Sequence, residues 1–359
     1  MDAFEARRNP ATDCIPMNSA VGLALIGLLL IGPIVSHLVE EQIEIFFLAI
    51  GLLAMTLAGA WRWEVARHAV EEPVWITLAV IVAGVVFDQL RGAMDRATTR
   101  VRARVARPLL CAGAIFLIAL SSSVITAIVA ALVLVEIVGL LRLDADARLR
   151  VTVAGCFAIG LGASLTPLGE PLSTLAADAL GLGFTGLFNL LAPYVLPGML
   201  ACSVVAGLFA SRKGAEGAAP AVVLALAHLR ESFFYSCIRG LRVYIFVAAL
   251  VLVSRAFAGL ALHYVTLLSR GQLFWANTVS AVMDNATLVA LEIHGMGQVR
   301  ARAAIIALLV AGGMLIPGNI PNIVAAAALR ISAGSWARIG IPMGLVLLGI
   351  YFALLEIAG

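Results

Sequence analysis

Charged residues are scarce in this sequence. Asp, Glu, Lys and Arg make up only 13% of the 359 residues, whereas about a quarter of the residues in soluble domains are charged. Hydrophobic residues make up 62% of the chain, and the mean hydropathy is +1.05. This composition predicts an all-α, polytopic membrane protein whose solvent is the lipid bilayer. The net charge of +3 is too small to indicate a nucleic-acid partner.

Familiar catalytic and ATP-binding motifs are also missing. The sequence contains no P-loop of the form GxxxxGK[ST] and no HExxH zinc motif. Its five cysteines are isolated and form no CxxC pair, so they are predicted to be small buried residues. We therefore expect no enzyme and no bound cofactor. If the protein moves a solute across the membrane, we expect an ion gradient rather than ATP to supply the energy.

Two segments with the same arrangement of prolines interrupt long apolar runs. They are residues 163–171 (ASLTPLGEP) and 313–321 (GMLIPGNIP), each with a glycine between two prolines that stand four residues apart. Proline removes a backbone donor and clashes with the preceding turn, so each segment is predicted to break a helix. Broken backbone at membrane depth is tolerated only where it is buried in protein or lines a cavity. A matched pair of broken helices predicts a secondary transporter.

An interrupted apolar run precedes each of these segments. The first run, 109–141, contains a serine triplet at 121–123 and has arginines beyond both ends, which places both ends on the cytoplasmic side. The second run, 273–293, is interrupted at 283–285. We therefore predict two re-entrant hairpins, each followed by a broken transmembrane helix (151–180 and 301–331), in an inverted repeat.

The remaining apolar runs are predicted to be scaffold spans. They are 21–37, 43–61, 74–90, 187–209, 241–258 and 339–357. The predicted organisation is a polar tail (1–20), scaffold helices with a basic interfacial helix (21–107), a first transport unit (108–180), further scaffold helices (181–271), a second transport unit (272–331) and a final span (332–359).

Oxygen-bearing side chains gather at the predicted hairpin tips and helix breaks. Hard cations are bound by carboxylate, hydroxyl, amide and carbonyl oxygens, and an unwound helix exposes carbonyls. The alternative is that Ser and Thr bond the preceding turn or allow close helix packing. The candidate residues are Ser121, Ser122, Ser123, Thr126, Thr166, Gly169, Glu170, Ser173 and Thr174 in the first unit, and Asp284, Asn285, Thr287, Gly318, Asn319 and Asn322 in the second.

Two acidic residues are predicted to carry protons. Asp284 and Glu170 stand inside apolar surroundings, where an ionised carboxylate needs a cation, a proton or a partner. A purely structural role, in which Asp284 caps a half-helix, is the alternative for that residue. Glu136 and Glu292, nearer the hairpin bases, are predicted to be interfacial. The predicted Na⁺ ligands are Ser122, Ser123, Thr166, Asp284, Asn285 and Asn319.

Three motifs carry a resemblance to a known family. Residues 120–126 (LSSSVIT), 165–174 (LTPLGEPLST) and 317–322 (PGNIPN) look like a small family of proposed cation transporters, the domain-of-unknown-function family 1646. Through it the chain resembles the ion transporter superfamily, with its NhaD-type sodium/proton antiporters and sodium-coupled dicarboxylate symporters. The resemblance implies a scaffold domain that forms a homodimer, a mobile transport domain, and ion sites where each tip meets a break.

The second tip favours one branch of that superfamily. The dicarboxylate symporters carry Ser-Asn-Thr at both tips, whereas this chain has no Asn at the first tip and an acidic residue, Asp284, at the second. We therefore expect a cation/proton antiporter of a bacterial or archaeal inner membrane, which moves Na⁺, H⁺ or both. The alternative is a sodium-coupled symporter of a small carboxylate or inorganic anion held at half-helix N-termini.

Overall fold

The regular structure of the chain is helical wherever it is described. The computed structural model describes residues 18–36, 39, 42–71, 73–74, 77–78, 81–82, 106–141, 143–211, 233–265, 267–283, 285–293 and 295–357. No β-strand occurs among them, so the predicted all-α class is confirmed. The helices are α1 (Ser19–Val35), α2 (Ile43–Leu57), α3 (Arg107–Ile125), α4 (Ala127–Leu140), α5 (Ala145–Ala163), α6 (Pro171–Ala179), α7 (Gly186–Ala210), α8 (Phe233–Val265), α9 (Arg270–Ala276), α10 (Asn285–Glu292), α11 (Gln298–Gly312), α12 (Ile320–Leu329) and α13 (Ala333–Ile357), with short 3-10 helices η1 (Asn277–Ala281) and η2 (Ile316–Gly318).

Four stretches within the described residues are long and apolar enough to cross a bilayer. They are α3, α7, the Gly240–Leu260 part of α8, and α13. Such helices are typical of an α-helical membrane protein. Most predicted scaffold spans coincide with α1, α2, α7, α8 and α13. The predicted span 74–90, the basic segment that follows it and most of the polar tail lie largely or wholly outside the described residues.

The two helices that precede the proline motifs form the centre of the molecule. Residues 151–163 of α5 and 303–312 of α11 are buried without exception, as expected of helices that are apolar on every side. α5 contacts α3, α4 and α7, while α11 contacts η1, α9, α10 and α13. The two central helices also contact each other. The second break, residues 313–319, is buried throughout, whereas the first is buried at both ends and exposed at Leu168.

Both helices are interrupted at the proline motifs, as the sequence predicts. Residues 164–170 separate α5 from α6, and 313–319, including η2, separate α11 from α12. The half-helices beyond the breaks then pack on the opposite unit: α6 contacts α10, and α12 contacts α4. Each unit therefore places its final half-helix against the arm that leaves the other unit's predicted hairpin.

The turn in the first predicted hairpin differs from the prediction in its position. The serine triplet was expected at the tip, but it is the last part of α3, and the turn falls at Thr126. The hydroxyls of Ser121 and Ser123 donate to carbonyl oxygens of the preceding turn, Leu117 at 2.7 Å and Leu120 at 2.8 Å. Such back-bonding satisfies serine within a helix, so the triplet does not break α3.

Candidate functional site

Side-chain hydroxyl groups donate hydrogen bonds to the carbonyl oxygens that the first break exposes. Ser173, which is fully buried in α6, donates to the Ala163 carbonyl at 3.2 Å across the break. Thr174 donates to the Pro167 carbonyl at 2.5 Å. A helix end leaves backbone carbonyls without intrahelical partners, and here side chains from the next half-helix supply donors.

The turn of the first hairpin is fastened to the same break. The Thr166 hydroxyl donates to the Ser123 carbonyl, and the Ala127 amide donates to the Gly169 carbonyl at 2.9 Å. Thr126, between α3 and α4, has φ 73° and ψ 150°, a backbone region that is essentially restricted to glycine. The first tip and the first break therefore form one hydrogen-bonded unit.

The serine triplet contributes one buried link to α5. The Ser122 hydroxyl is fully buried and lies 2.6 Å from the Ala119 carbonyl and 3.2 Å from the Ile159 carbonyl. Ser121, in contrast, is exposed on α3. Of the predicted first-tip ligands, Ser122 and Ser123 lie at the helix interface.

Glu170 lies where the chain enters α6. Its backbone is extended, with φ −160° and ψ 160°, and its side chain makes no capping bond to α6. The side chain is 9% exposed. A negative charge at this end of a helix is stabilised by the aligned backbone dipoles. The structure thus places a buried carboxylate at the first break, as predicted.

At the second break, side-chain N–H groups rather than hydroxyls donate hydrogen bonds to the exposed carbonyl oxygens. Asn322, fully buried in α12, donates through Nδ2 to the carbonyls of Gly312 and Leu315, each at 2.8 Å. Trp336 of α13 donates through Nε1 to the Gly313 carbonyl at 3.2 Å. The carbonyl at the end of α11 is therefore held from beyond the break, as in the first unit.

Asn285 lies beside the second break and has a buried side chain whose polar atoms are not hydrogen-bonded to any described residue. Its side chain is 5% exposed, and neither Nδ2 nor Oδ1 has a hydrogen-bond partner among the described residues. A Cβ atom added to Gly312 would overlap the Asn285 amide and lie 2.8 Å from the Gly318 carbonyl oxygen. The Asn285 side chain therefore lies against the end of α11, beside the backbone of the second break.

Backbone oxygens also lie close to Gly318, the neighbour of Gly312 across the break. A Cβ atom added to Gly318 would lie 2.5 Å from the Gly312 carbonyl oxygen and 2.9 Å from the Ala281 carbonyl oxygen. The Oδ1 atom of Asn322 is also buried without a partner among the described residues. We name Ala281, Asn285, Gly312, Gly318 and Asn322 the second-break cluster. Its carbonyl and amide oxygens are the ligands that hard cations prefer.

Two of the other predicted second-unit side chains, Thr287 and Asn319, are described. Asp284, the neighbour of Asn285, lies outside the described residues. Thr287 is half-buried in α10. Asn319 is 9% exposed at the start of α12, and its Nδ2 would lie 2.8 Å from a Cβ on Gly160 of α5. Of the predicted Na⁺ ligands, Thr166 therefore bonds the backbone of Ser123, while Ser122 and Asn319 lie against adjacent residues of α5.

A scan against family models identifies the family. The model of DUF1646, described as a protein of unknown function, matches residues 19–358. The chain belongs to the DUF1646 family. No curated protein matches it. The predicted resemblance is thus confirmed at the level of the DUF1646 family, whose match spans both breaks and the second-break cluster.

Three buried polar residues of this DUF1646 protein were not among the predicted site residues. The Asn277 amide donates to Glu292 Oε2 at 2.9 Å, and the Ser280 hydroxyl donates to the Leu308 carbonyl of α11 at 3.2 Å. Glu292 was predicted to be interfacial, but it is only 4% exposed, because α10 packs between α6, α8 and α11. The helical spacing of Asn277, Ser280 and Asp284 in an apolar run is the signal that could have revealed this stripe.

The donors at these sites are mostly neutral. The described residues hold no group of three or more His, Cys, Asp or Glu side chains that could bind a metal ion. In the second-break cluster the available groups are amides and backbone carbonyls. Such groups suit a weakly held cation with oxygen ligands.

Proposed function

We propose that this DUF1646 protein is a secondary active transporter that exchanges a cation of the sodium type for protons. The observation that carries the proposal is Asn285, a buried amide that has no partner among the described residues and lies against Gly312, near the Gly318 carbonyl. A buried polar group left without a hydrogen bond costs about 1–3 kcal/mol. Coordination of a cation by Oδ1 would offset that cost, and neighbouring carbonyls would complete the coordination.

Protons enter the proposal through carboxylates. Glu170 lies buried at the first break, and Asp284, outside the described residues, precedes Asn285 in the chain. Burial favours the protonated form of a carboxyl group and a bound cation favours the ionised form. A carboxylate that feels both effects exchanges one ion for the other, which couples the two fluxes.

The packing of the half-helices supports an inverted repeat. α6 contacts α10 of the second unit, and α12 contacts α4 of the first. This reciprocal exchange is expected if the two units are related by a pseudo-two-fold axis with the substrate site at their interface. In this proposal both hairpins are re-entrant and the units move together during alternating access. A homodimer in a bacterial or archaeal inner membrane, and kinship with NhaD-type antiporters, are part of the proposal through the resemblance.

One observation favours a second function. Asn319 begins α12 with an extended backbone and makes no capping bond to it, so this half-helix N-terminus could receive a carboxylate or oxyanion. In the first unit, the equivalent entrance to α6 carries Glu170, whose charge would repel an anion. Sodium-coupled anion symport is therefore the alternative.

Purified protein in liposomes with a trapped pH dye tests the proposal. Na⁺, Li⁺, K⁺ and Ca²⁺ are added separately across an imposed pH gradient. We expect dequenching with at least one cation, lost in Asn285→Ala and retained in Asn189→Ala, which removes an exposed asparagine of α7. Silence of the parent protein with every cation would refute antiport, and sodium-dependent anion uptake would then be measured.

A further inference from the structure

We propose that Glu292 is a further proton-carrying residue, coupled to the second-break cluster through Asn277 and Ser280. The inference rests on the proposed cation/proton exchange and assigns it a third carboxylate besides Glu170 and Asp284. It starts from a buried acidic side chain that lies outside the cluster itself. Glu292 ends α10 and is 4% exposed.

Opposing influences act on the carboxyl group of Glu292, and the largest of them is burial, which favours the neutral form. The Asn277 amide, at 2.9 Å, and the positive charge of Arg300 favour the ionised form. Burial, and a position at the C-terminal end of a helix, favour the neutral form. A modest change in these surroundings can therefore change the protonation state, which a proton carrier requires.

Few of the described charged side chains lie on the helices that contact α10. Of the helices that contact it, α11 supplies Arg300, which acts on Glu292. The other charged side chains described on these helices are Asp178 of α6, which is exposed, Arg242 of α8, which lies 3.9 Å from Glu44, Arg255 of α8, and Arg302 of α11, whose guanidinium lies 4.8 Å from the Tyr194 ring centre.

A polar stripe joins Glu292 to the second-break cluster. Asn277, which bonds Glu292, also lies 3.5 Å from the Ala304 carbonyl of α11. Ser280 bonds the Leu308 carbonyl, and the Asn285 amide lies against Gly312. Positions 304, 308 and 312 share one face of α11, because side chains four apart in a helix lie one above the other. Residues of both arms of the second predicted hairpin thus contact α11 at successive levels, from Asn277, the partner of Glu292, to Asn285 in the cluster.

This stripe gives protonation a route to the cation ligands. A hydrogen bond to an ionised acceptor is about twice as strong as one between neutral groups. When Glu292 gains a proton, its bond to Asn277 weakens, and the start of η1 is held less firmly against α11. The end of η1 supplies the Ala281 carbonyl to the cluster. Proton uptake at Glu292 therefore disfavours the arrangement that holds the cation.

The test measures protons released when Na⁺ binds. Na⁺ is added to the purified full-length protein in weak buffer, and a pH indicator reports the protons released. The Na⁺ affinity is then measured at several pH values between about 6 and 8, because each linked proton changes the apparent affinity by about tenfold per pH unit. In Glu292→Gln we expect the slope to fall by about one proton per chain and less proton release, with Na⁺ binding retained.

The matched control is Glu136→Gln. Glu136 occupies the corresponding place on the outgoing arm α4 of the first unit and is only partly buried, so we expect it to behave as the parent. Asn277→Ala removes the amide and keeps the carboxylate, and it decides the matter if Glu292→Gln does not fold. We expect its pH midpoint of Na⁺ binding to move to higher pH, because the donor that favours the ionised form is gone.

The outcomes separate the two proposals. An unchanged slope and unchanged proton release in Glu292→Gln, or an unmoved midpoint in Asn277→Ala, would overturn the role of Glu292 while leaving antiport intact. A parent protein that neither binds Na⁺ nor responds to any cation in liposomes would instead overturn the proposed function, and the role of Glu292 with it.

Discussion

The two helix breaks share a design but differ in what they leave over. In each, a side chain beyond the break returns to the carbonyl that ends the central helix: Ser173 to Ala163 at 3.2 Å, and Asn322 to Gly312 at 2.8 Å. In the first unit a hydroxyl makes this bond. In the second an amide makes it and also keeps a buried oxygen without a partner among the described residues, and Asn285, which lies against the same Gly312, has no partner there for either side-chain atom.

This difference shows that equal proline motifs do not produce equal sites. The prolines determine where each helix stops, because they act on their own backbone. The neighbouring side chains determine whether the exposed groups are satisfied inside the protein or remain available to an ion. The second break retains more of that capacity, so we expect the two units to respond differently to matched substitutions.

The largest effect is expected from the glycines in the last turn of the central helices, Gly162 and Gly312. A Cβ at Gly162 would overlap the backbone carbonyl of Ala119 on α3, and overpacking of a core costs about 1–3 kcal/mol. Gly162→Ala is therefore expected to lower the apparent melting temperature strongly. Gly312→Ala meets the movable Asn285 amide as well as the Gly318 carbonyl, so we expect a milder loss of stability but loss of the cation response.

Gly113→Ala is the control for this pair. Gly113 lies on α3 with no atom within 4 Å of an added Cβ, and Ala is a better helix former than Gly by about 1 kcal/mol. Its apparent melting temperature in detergent should equal or exceed that of the parent. Equal losses of stability in Gly162→Ala and Gly312→Ala would contradict the distinction between the two breaks.

The positions of the breaks could be predicted from sequence, since proline and glycine act locally. The end of α3 could not. The serine triplet stays helical, and the turn falls on Thr126, a β-branched residue with a positive φ that no local preference favours. The Asn277–Glu292 bond and the packing of α6 on α10 are equally hidden, because they join segments whose proximity depends on the whole fold.

The second prediction compares one substitution at each break. Asn285→Ala removes polar atoms that bond nothing described, so stability without Na⁺ should stay equal or rise, whereas the Na⁺-induced rise in melting temperature should disappear. Ser173→Ala removes a buried hydrogen bond, which should cost about 1 kcal/mol and leave the Na⁺ effect in place. Melting curves with and without Na⁺ measure both; a Na⁺ effect that survives in Asn285→Ala would argue against the second-break cluster.

The third prediction concerns the turn at Thr126. Its backbone conformation costs a non-glycine residue about 1–3 kcal/mol, and glycine adds about 0.5–1 kcal/mol of unfolded-state entropy. Thr126→Gly should therefore stabilise the protein by about 1 kcal/mol. Arg330, at φ 52° and ψ 47° after α12, adopts the left-handed helical conformation, which costs a non-glycine residue about 1–2 kcal/mol. Because Arg330→Gly also removes an interaction of the arginine, we expect a smaller gain than in Thr126→Gly. No gain in Thr126→Gly would mean that contacts of the threonine compensate its backbone.

The smallest change in the Na⁺ response is expected at Trp336, which supports the second break from α13. Its Nε1 donates to the Gly313 carbonyl at 3.2 Å, and its ring is fully buried. Trp336→Phe keeps most of the apolar volume and removes one donor, which should cost about 0.5–1.5 kcal/mol. Because Gly313 adjoins Gly312 of the second-break cluster, the freed carbonyl should also alter the Na⁺ affinity. The control is Tyr351→Phe, which removes the 3.0 Å bond to the Tyr194 carbonyl on α7 and should reduce stability alone. Titration of the melting temperature with Na⁺ distinguishes them: equal Na⁺ responses in both variants would show that the Gly313 carbonyl does not contribute to the cation site.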